Sequence, residues 1–139
     1  MNNTSMLFIS VFTSMAGSSV AAALITIYFS KKRDKHVLSL QLIDYFLDNY
    51  HDVGEANYIL TLDSYKIEEK ENYIRKHGDW FNLIAMLKKN DSIEWKILQD
   101  MGLEKTMEDF HDRVASKKAS GVKVLENAWQ WWPDLHRLF

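Results

Sequence analysis

The chain has 139 residues, a net charge of −2 and no cysteine. It can therefore hold no disulfide, no thiolate metal site and no cysteine nucleophile, which fits a cytoplasmic body. A balance so close to neutral lacks the basic excess of a nucleic-acid binder, so no nucleic-acid partner is expected.

From Leu7 to Phe29 there is no charged residue, and none occurs before Leu7 either. As a helix rising ~1.5 Å per residue this run extends about 34 Å, enough to cross a hydrocarbon core of about 30 Å. Lys31, Lys32, Arg33 and Lys35 follow immediately. Basic residues stay on the cytoplasmic side, so the spacing predicts a single-pass anchor in the cytoplasmic (inner) membrane, N-terminus outside and C-terminus in the cytoplasm. A cleaved signal peptide would carry its basic residues before a shorter apolar core and would end in a small-residue cleavage site. The collar serves as a topology signal and contacts lipid headgroups, which makes membrane lipid an expected partner.

Inside the apolar run, Thr13, Gly17 and Ala21 lie four apart, and beside them run Ser10, Ser14, Ser18 and Ala22. At helical spacing the two rows form one stripe of small residues, which lets helix backbones approach closely in lipid. The stripe predicts a homo-oligomer or a membrane-protein partner. Its rival is an ordinary anchor whose Ser and Thr hydroxyls bond back to their own helix.

Residues 1–35 are thus read as the anchor with its collar and 36–139 as one helical bundle domain. About 100 residues is the usual size of a small domain. The only proline is Pro133, and no segment alternates with period two, so the expected class is all-α: a transmembrane helix followed by a small cytoplasmic bundle. Leu38, Leu42, Tyr45, Phe46 and Asn49 mark the first helix of the body. Asp52 with Glu55 forms a capping-box pattern for a second, whose apolar face is Ile59, Leu60 and Leu62. Ser64 and Tyr65 read as a turn. A third helix is expected over 66–89, charged in its first half and apolar in its second (WFNLIAML), with Gly78 marking a bend or break. Asp91 with Glu94 predicts another cap, opening a helix that Gly102 ends. Leu103, Met107, Phe110 and Val114 define the next helix, over 103–117. Gly121 separates it from VKVLENAWQWW, which Pro133 stops.

An apolar span, a basic collar, LQLIDYFLDNY, DWFNLIAMLKKNDSIEWKILQDMG and a Trp-containing C-terminal helix follow one another in this order. The layout resembles a family of short, functionally uncharacterised bacterial and phage proteins with one N-terminal membrane span and a small cytoplasmic helical domain. The resemblance implies the architecture and brings no catalytic residues with it.

Few residues suggest chemistry. Glu108 and His111 in MEDFHD share a helical face, but di-iron bundles need two such Glu-x-x-His pairs and the chain has one. A charged pair on a solvated face is the simpler explanation. The five histidines are scattered, and no Gly-x-Ser-x-Gly elbow or phosphate loop occurs. No catalytic residue, metal or cofactor site and no small-molecule substrate is assigned. At the C-terminus Trp129, Trp131, Trp132 and Phe139 crowd together. Neighbouring residues on a helix differ by about 100°, so the three tryptophans cannot all face one core. They can wrap a corner of the bundle, contact a protein partner or lie at the membrane interface.

The expected function is a membrane-anchored, non-enzymatic interaction module whose cytoplasmic domain binds a protein partner or self-associates. The alternative is a phage or bacterial membrane-active factor, for superinfection exclusion or growth arrest, that acts through assembly of its transmembrane helix. A small tethered enzyme is the third reading.

Overall fold

The computed structural model describes residues 35–139, and every regular element among them is helical. The elements are α1 (Lys35–Asp48), α2 (Tyr50–Ile59), α3 (Ser64–Glu69), α4 (Glu71–Lys89), α5 (Trp95–Asp100), α6 (Leu103–Ala119), a 3-10 turn (Lys123–Leu125), α7 (Ala128–Trp131) and α8 (Pro133–Leu138). The apolar run, the small residues Ser10 to Ala22 and Lys31, Lys32 and Arg33 lie outside the described residues. Among the described residues no helix is long and apolar enough to cross a membrane.

Helix α4 is central. From Trp80 to Leu87 nearly every side chain is buried, as the unbroken apolar run WFNLIAML requires. Helices α1, α2, α6 and α8 pack around it. Tyr45 of α1 meets Trp80 with ring centroids 5.0 Å apart, and Phe110 of α6 meets Phe81 edge-on at 5.1 Å. Tyr73 of α4 donates its hydroxyl to Asp52 O of α2, and Trp132 delivers α8. On α6 the predicted stripe Leu103, Met107, Phe110 and Val114 is fully buried. Helix α1 runs antiparallel to α4: Lys35 pairs with Asp91 beyond the end of α4, while Asn49 and Lys76 line one cavity further along.

Several local signals resolve differently from expectation. The segment 64–89 is not one helix bent at Gly78. Ser64 and Tyr65 begin α3, the break falls at Lys70, and Gly78 sits inside continuous α4. The glycine serves close approach instead: a Cβ built there would collide with the Trp132 indole. Asp52 does not cap α2, because the helix begins earlier, at Tyr50, and takes Asp52 into its first turn. Asp91 does not cap α5 either. It adopts φ 54 and closes α4, with its N–H bonding Lys88 and the Ser92 N–H bonding Leu87. This is the left-handed C-terminal arrangement that glycine usually supplies. Gly102 and Gly121 supply it elsewhere, at φ 84 and 88, and end α5 and α6 as predicted. Pro133 does stop α7, but it also opens α8 at the first helical position, where a missing N–H costs nothing.

Helix ends are closed by side chains from other helices. The amide oxygen of Asn82, on α4, accepts the N–H groups of both Asp134 and Leu135 at 2.9 Å. That is the work of an N-cap residue, done for α8 from a distance. Ser39, buried on α1, donates to Lys35 O and accepts the Glu94 N–H, each at 2.7 Å, so the chain entering α5 is bound to α1. Arg113 and Lys117 of α6 donate to Asn57 O and Leu62 O, at 2.7 and 2.8 Å, at the end of α2. A buried carbonyl or N–H left unmatched would cost about 1–3 kcal/mol.

Two glycine substitutions should have opposite signs. Glycine to alanine inside a helix ordinarily stabilises by about 0.5–1 kcal/mol. Gly54→Ala, where a Cβ meets nothing within 4 Å, should follow that rule. Gly78→Ala should instead destabilise by about 1–3 kcal/mol or more, as overpacking does. Thermal unfolding of both variants checks it; a stabilised Gly78→Ala would show that the indole can retreat freely.

Candidate interaction surface

The aromatic tail divides into an inner and an outer part. Trp132 is fully buried, between Gly78 and Phe110, and its indole N–H donates to Asp79 Oδ1 at 2.9 Å. It therefore belongs to the core and is not available as a partner surface. Trp131 turns outward at the end of α7, half-buried, with the Arg75 guanidinium 4.2 Å from its ring centre. The backbone at Trp132 (φ −126, ψ 60) leaves the helical region, which is how adjacent tryptophans come to face opposite ways.

Trp129 is also half-buried. It stacks on His136, with centroids 4.4 Å apart, and on His111, at 4.8 Å. His111 is buried on α6, its Nε2 is 3.2 Å from His136 Nδ1, and its Nδ1 faces Asp112 at 3.1 Å. One imidazole must donate and the other accept. Phe139 completes the group at 5.6 Å from His111 and is 38% exposed. The structure thus brings together Trp129, Phe139 and the two histidines, and sets Trp131 and Trp132 apart from them. His111 is not on a solvated face, as its pairing with Glu108 suggested. Glu108 instead lines an open cleft with Glu104, Asp112, Lys88, Trp95 and Leu138. No group of three or more metal-ligating side chains is found among the described residues.

A second set of exposed apolar groups was not singled out by sequence. Leu40 and Leu47 on α1 and Tyr50 and Tyr58 on α2 are all exposed, the two tyrosines by more than 60%. Tyr50 and Tyr58 flank Gly54, whose missing side chain leaves a notch between them. Their spacings of seven and eight residues were visible, but Leu40 and Leu47 lay off the stripe of Leu38, Leu42, Tyr45, Phe46 and Asn49 and were not assigned a face. Of the collar, only Lys35 is described; its pair with Asp91, at 2.9 Å, is exposed and contributes little.

The remaining titratable cluster is structural. Tyr45, Asn49, Asp52, Val53, Lys76, His77 and Trp80 surround a cavity of about 10 Å³, the room of about one water. His77 Nδ1 donates to Tyr73 O at 2.9 Å, and Tyr73 donates its hydroxyl to Asp52 O at 2.8 Å. Burial, followed by the Asp52 and Glu55 carboxylates, pushes the Tyr73 phenol up to about 12, so it stays a donor. Burial also pulls His77 below its ordinary value, against the opposing pull of the Tyr73 carbonyl.

His77 therefore binds its proton more weakly in the folded chain than in the unfolded one. Its contribution to stability is complete above the unfolded value near 6.5 and is lost as pH falls through the folded one. His77→Gln should accordingly flatten the fall in melting temperature as pH drops below about 6.5; an unchanged slope would refute the assignment. The two adjacent tryptophans should separate as well. Trp132→Ala should cost about 3–5 kcal/mol, out of about 5–15 for a typical domain. Trp131→Ala, losing mainly a surface cation–π contact, should cost about 1 kcal/mol. Urea unfolding of the two variants measures the difference, and equal losses would contradict the division into inner and outer parts. No protein-family model, curated protein or solved structure matches the chain.

Proposed function

We propose that the chain is a membrane-anchored, non-enzymatic interaction module at the cytoplasmic face of the inner membrane. In this reading Leu7 to Phe29 spans the bilayer, and the helical domain binds a protein partner or a second copy. The layout resembles that of the bacterial and phage proteins with one span and a small helical domain. The observation that carries the reading is the set of exposed apolar side chains on α1 and α2. Leu40, Leu47, Tyr50 and Tyr58 stay in solvent although the core holds many similar side chains. Tyrosine in such a position supplies contact area at interfaces. Trp131 beside Arg75, and Phe139 beside His111, offer smaller, separate contacts.

The assembly reading is favoured by a different observation, the two rows of small residues from Ser10 to Ala22. It makes the span the active part, as in a superinfection-exclusion factor or a growth-arresting effector, and the helical domain its carrier.

A reporter that is active only in the cytoplasm should work when fused after Phe139; activity from an export-dependent reporter would overturn the orientation. A photo-crosslinking residue at Tyr50 or Tyr58 in native membranes should give discrete adducts, while one at exposed Asn72 should not. Adducts at none of the three would remove the support for a partner-binding domain. Gly17→Ile should weaken association in a membrane two-hybrid assay and Leu24→Ile should not, provided both variants insert equally. Equal association would leave the assembly reading without its support.

A further inference from the structure

The helical domain has one end that must lie close to any membrane holding the N-terminal run. The linker Ser30 to Asp34 reaches at most about 18 Å even fully extended. The first described residue, Lys35, follows it directly and is already helical. The groups around that point are fixed by short contacts. Lys35 pairs with Asp91 at 2.9 Å and His36 with Glu94 at 3.3 Å, so the loop between α4 and α5 sits beside Lys35 and His36. Lys88 and Lys89 end α4 at this loop, and Trp95 and Lys96 begin α5 from it. Helix α8 arrives there too: Arg137 and Leu138 share a shallow cleft with Lys88 and Lys89.

We propose that this end of the domain, formed by Lys88, Lys89, Trp95, Lys96 and Arg137, docks on the anionic headgroup surface of the bilayer. The proposal rests on the membrane-anchor reading and extends the basic collar from the linker onto the folded domain. Lys89, Lys96 and Arg137 are well exposed, and the Lys88 ammonium lies 5.1 Å from the centre of the half-buried Trp95 ring. Exposed lysine beside an amphipathic indole suits the polar–apolar boundary of a membrane. The acidic groups at this end share the same cations, Asp91 with Lys35, Asp134 with Lys89 and Arg137, and Asp100 with Lys96, while Glu94 faces His36, so five basic side chains (Lys35, Lys88, Lys89, Lys96 and Arg137) stand against four carboxylates. Glu104, Glu108 and Asp112, in the neighbouring cleft, set the border of the surface towards α6.

The opposite choice is electrostatically poor. Between His36 and Tyr65 there is no lysine or arginine, while Asp44, Asp48, Asp52 and Glu55 lie along α1 and α2. Turning that side to anionic lipid would set like charges against each other. Docking through the α4–α5 end therefore leaves the apolar side of α1 and α2 open to the cytoplasm.

The absence of cysteine permits unique labelling of the full chain. A nitroxide on Lys89→Cys should lose most of its collisions with an aqueous relaxation agent in vesicles of phosphatidylcholine with phosphatidylglycerol. It should keep them in phosphatidylcholine alone. Raising salt from 0.1 to 1 M shortens the screening length from about 10 to about 3 Å and should restore them. A label on Asn72→Cys, near the far end of α4, should stay accessible throughout. Lys88→Glu with Lys96→Glu should abolish the protection at position 89. Equal accessibility in the two lipids, in chain that resists alkaline extraction, would overturn the docking and leave the anchor standing. Release of the chain by alkaline extraction would overturn the anchor and the docking together. Protection that rises with the protein-to-lipid ratio at fixed lipid composition would assign the surface to a second copy and overturn the proposal.

Discussion

Trp132 seated against the backbone of α4 at Gly78 is the contact on which the domain depends. The helix that carries the apolar run has to be covered on every side, and α8, only six residues long, covers one of them. So short a helix has almost no stability of its own. It is held by the buried indole ahead of it, by the Trp132 N–H on Asp79 and by the Asn82 oxygen on its first two free N–H groups. These contacts arise within one turn of α4, from Gly78, Asp79 and Asn82. Without the glycine the indole could not approach; without the approach Asn82 would have nothing to cap.

The same economy governs the rest of the bundle. Ser39 binds the start of α5, and Arg113 and Lys117 bind the end of α2. In each case a polar side chain on one helix answers backbone groups on another. The polar residues that look misplaced on apolar stripes, Ser39 above all, are thus placed by the need to match buried backbone groups. The exposed tyrosines and leucines of α1 and α2 stand outside this scheme: Tyr50 touches Phe46 with one ring edge, and all four keep much of their surface in solvent.

The all-α class, α1, α6 and the burial of α4 were legible because their apolar spacing is regular and long. Gly102 and Gly121 were legible because each follows the last periodic residue of its helix. The capping patterns at Asp52 and Asp91 misled because α2 begins two residues before Asp52, while Asp91 closes α4 and the entry to α5 is held by Ser39 of α1. Gly78 looked like a breaker because nothing near it in sequence announces Trp132, which lies more than 50 residues on. Periodicity showed that Trp131 and Trp132 could not share a face. It could not say which would turn inward, because that follows from the backbone turn at Trp132. The tyrosine notch escaped notice because Gly54 and its flanking side chains carry no chemical signature.

Borrowed caps also bear on how the domain opens. A helix capped by its own residues can fray at its end and close again without disturbing its neighbours. Here the first turn of α8 cannot loosen without stripping a partner from α4, nor the last turn of α2 and the residues after it without freeing Arg113 and Lys117 of α6. Terminal amides that would ordinarily exchange fastest with solvent are thereby tied to the opening of the whole bundle. In hydrogen-exchange terms, the free energy of opening at Asp134 and Leu135 approaches that of the central helix, although both residues lie within the last six of the chain.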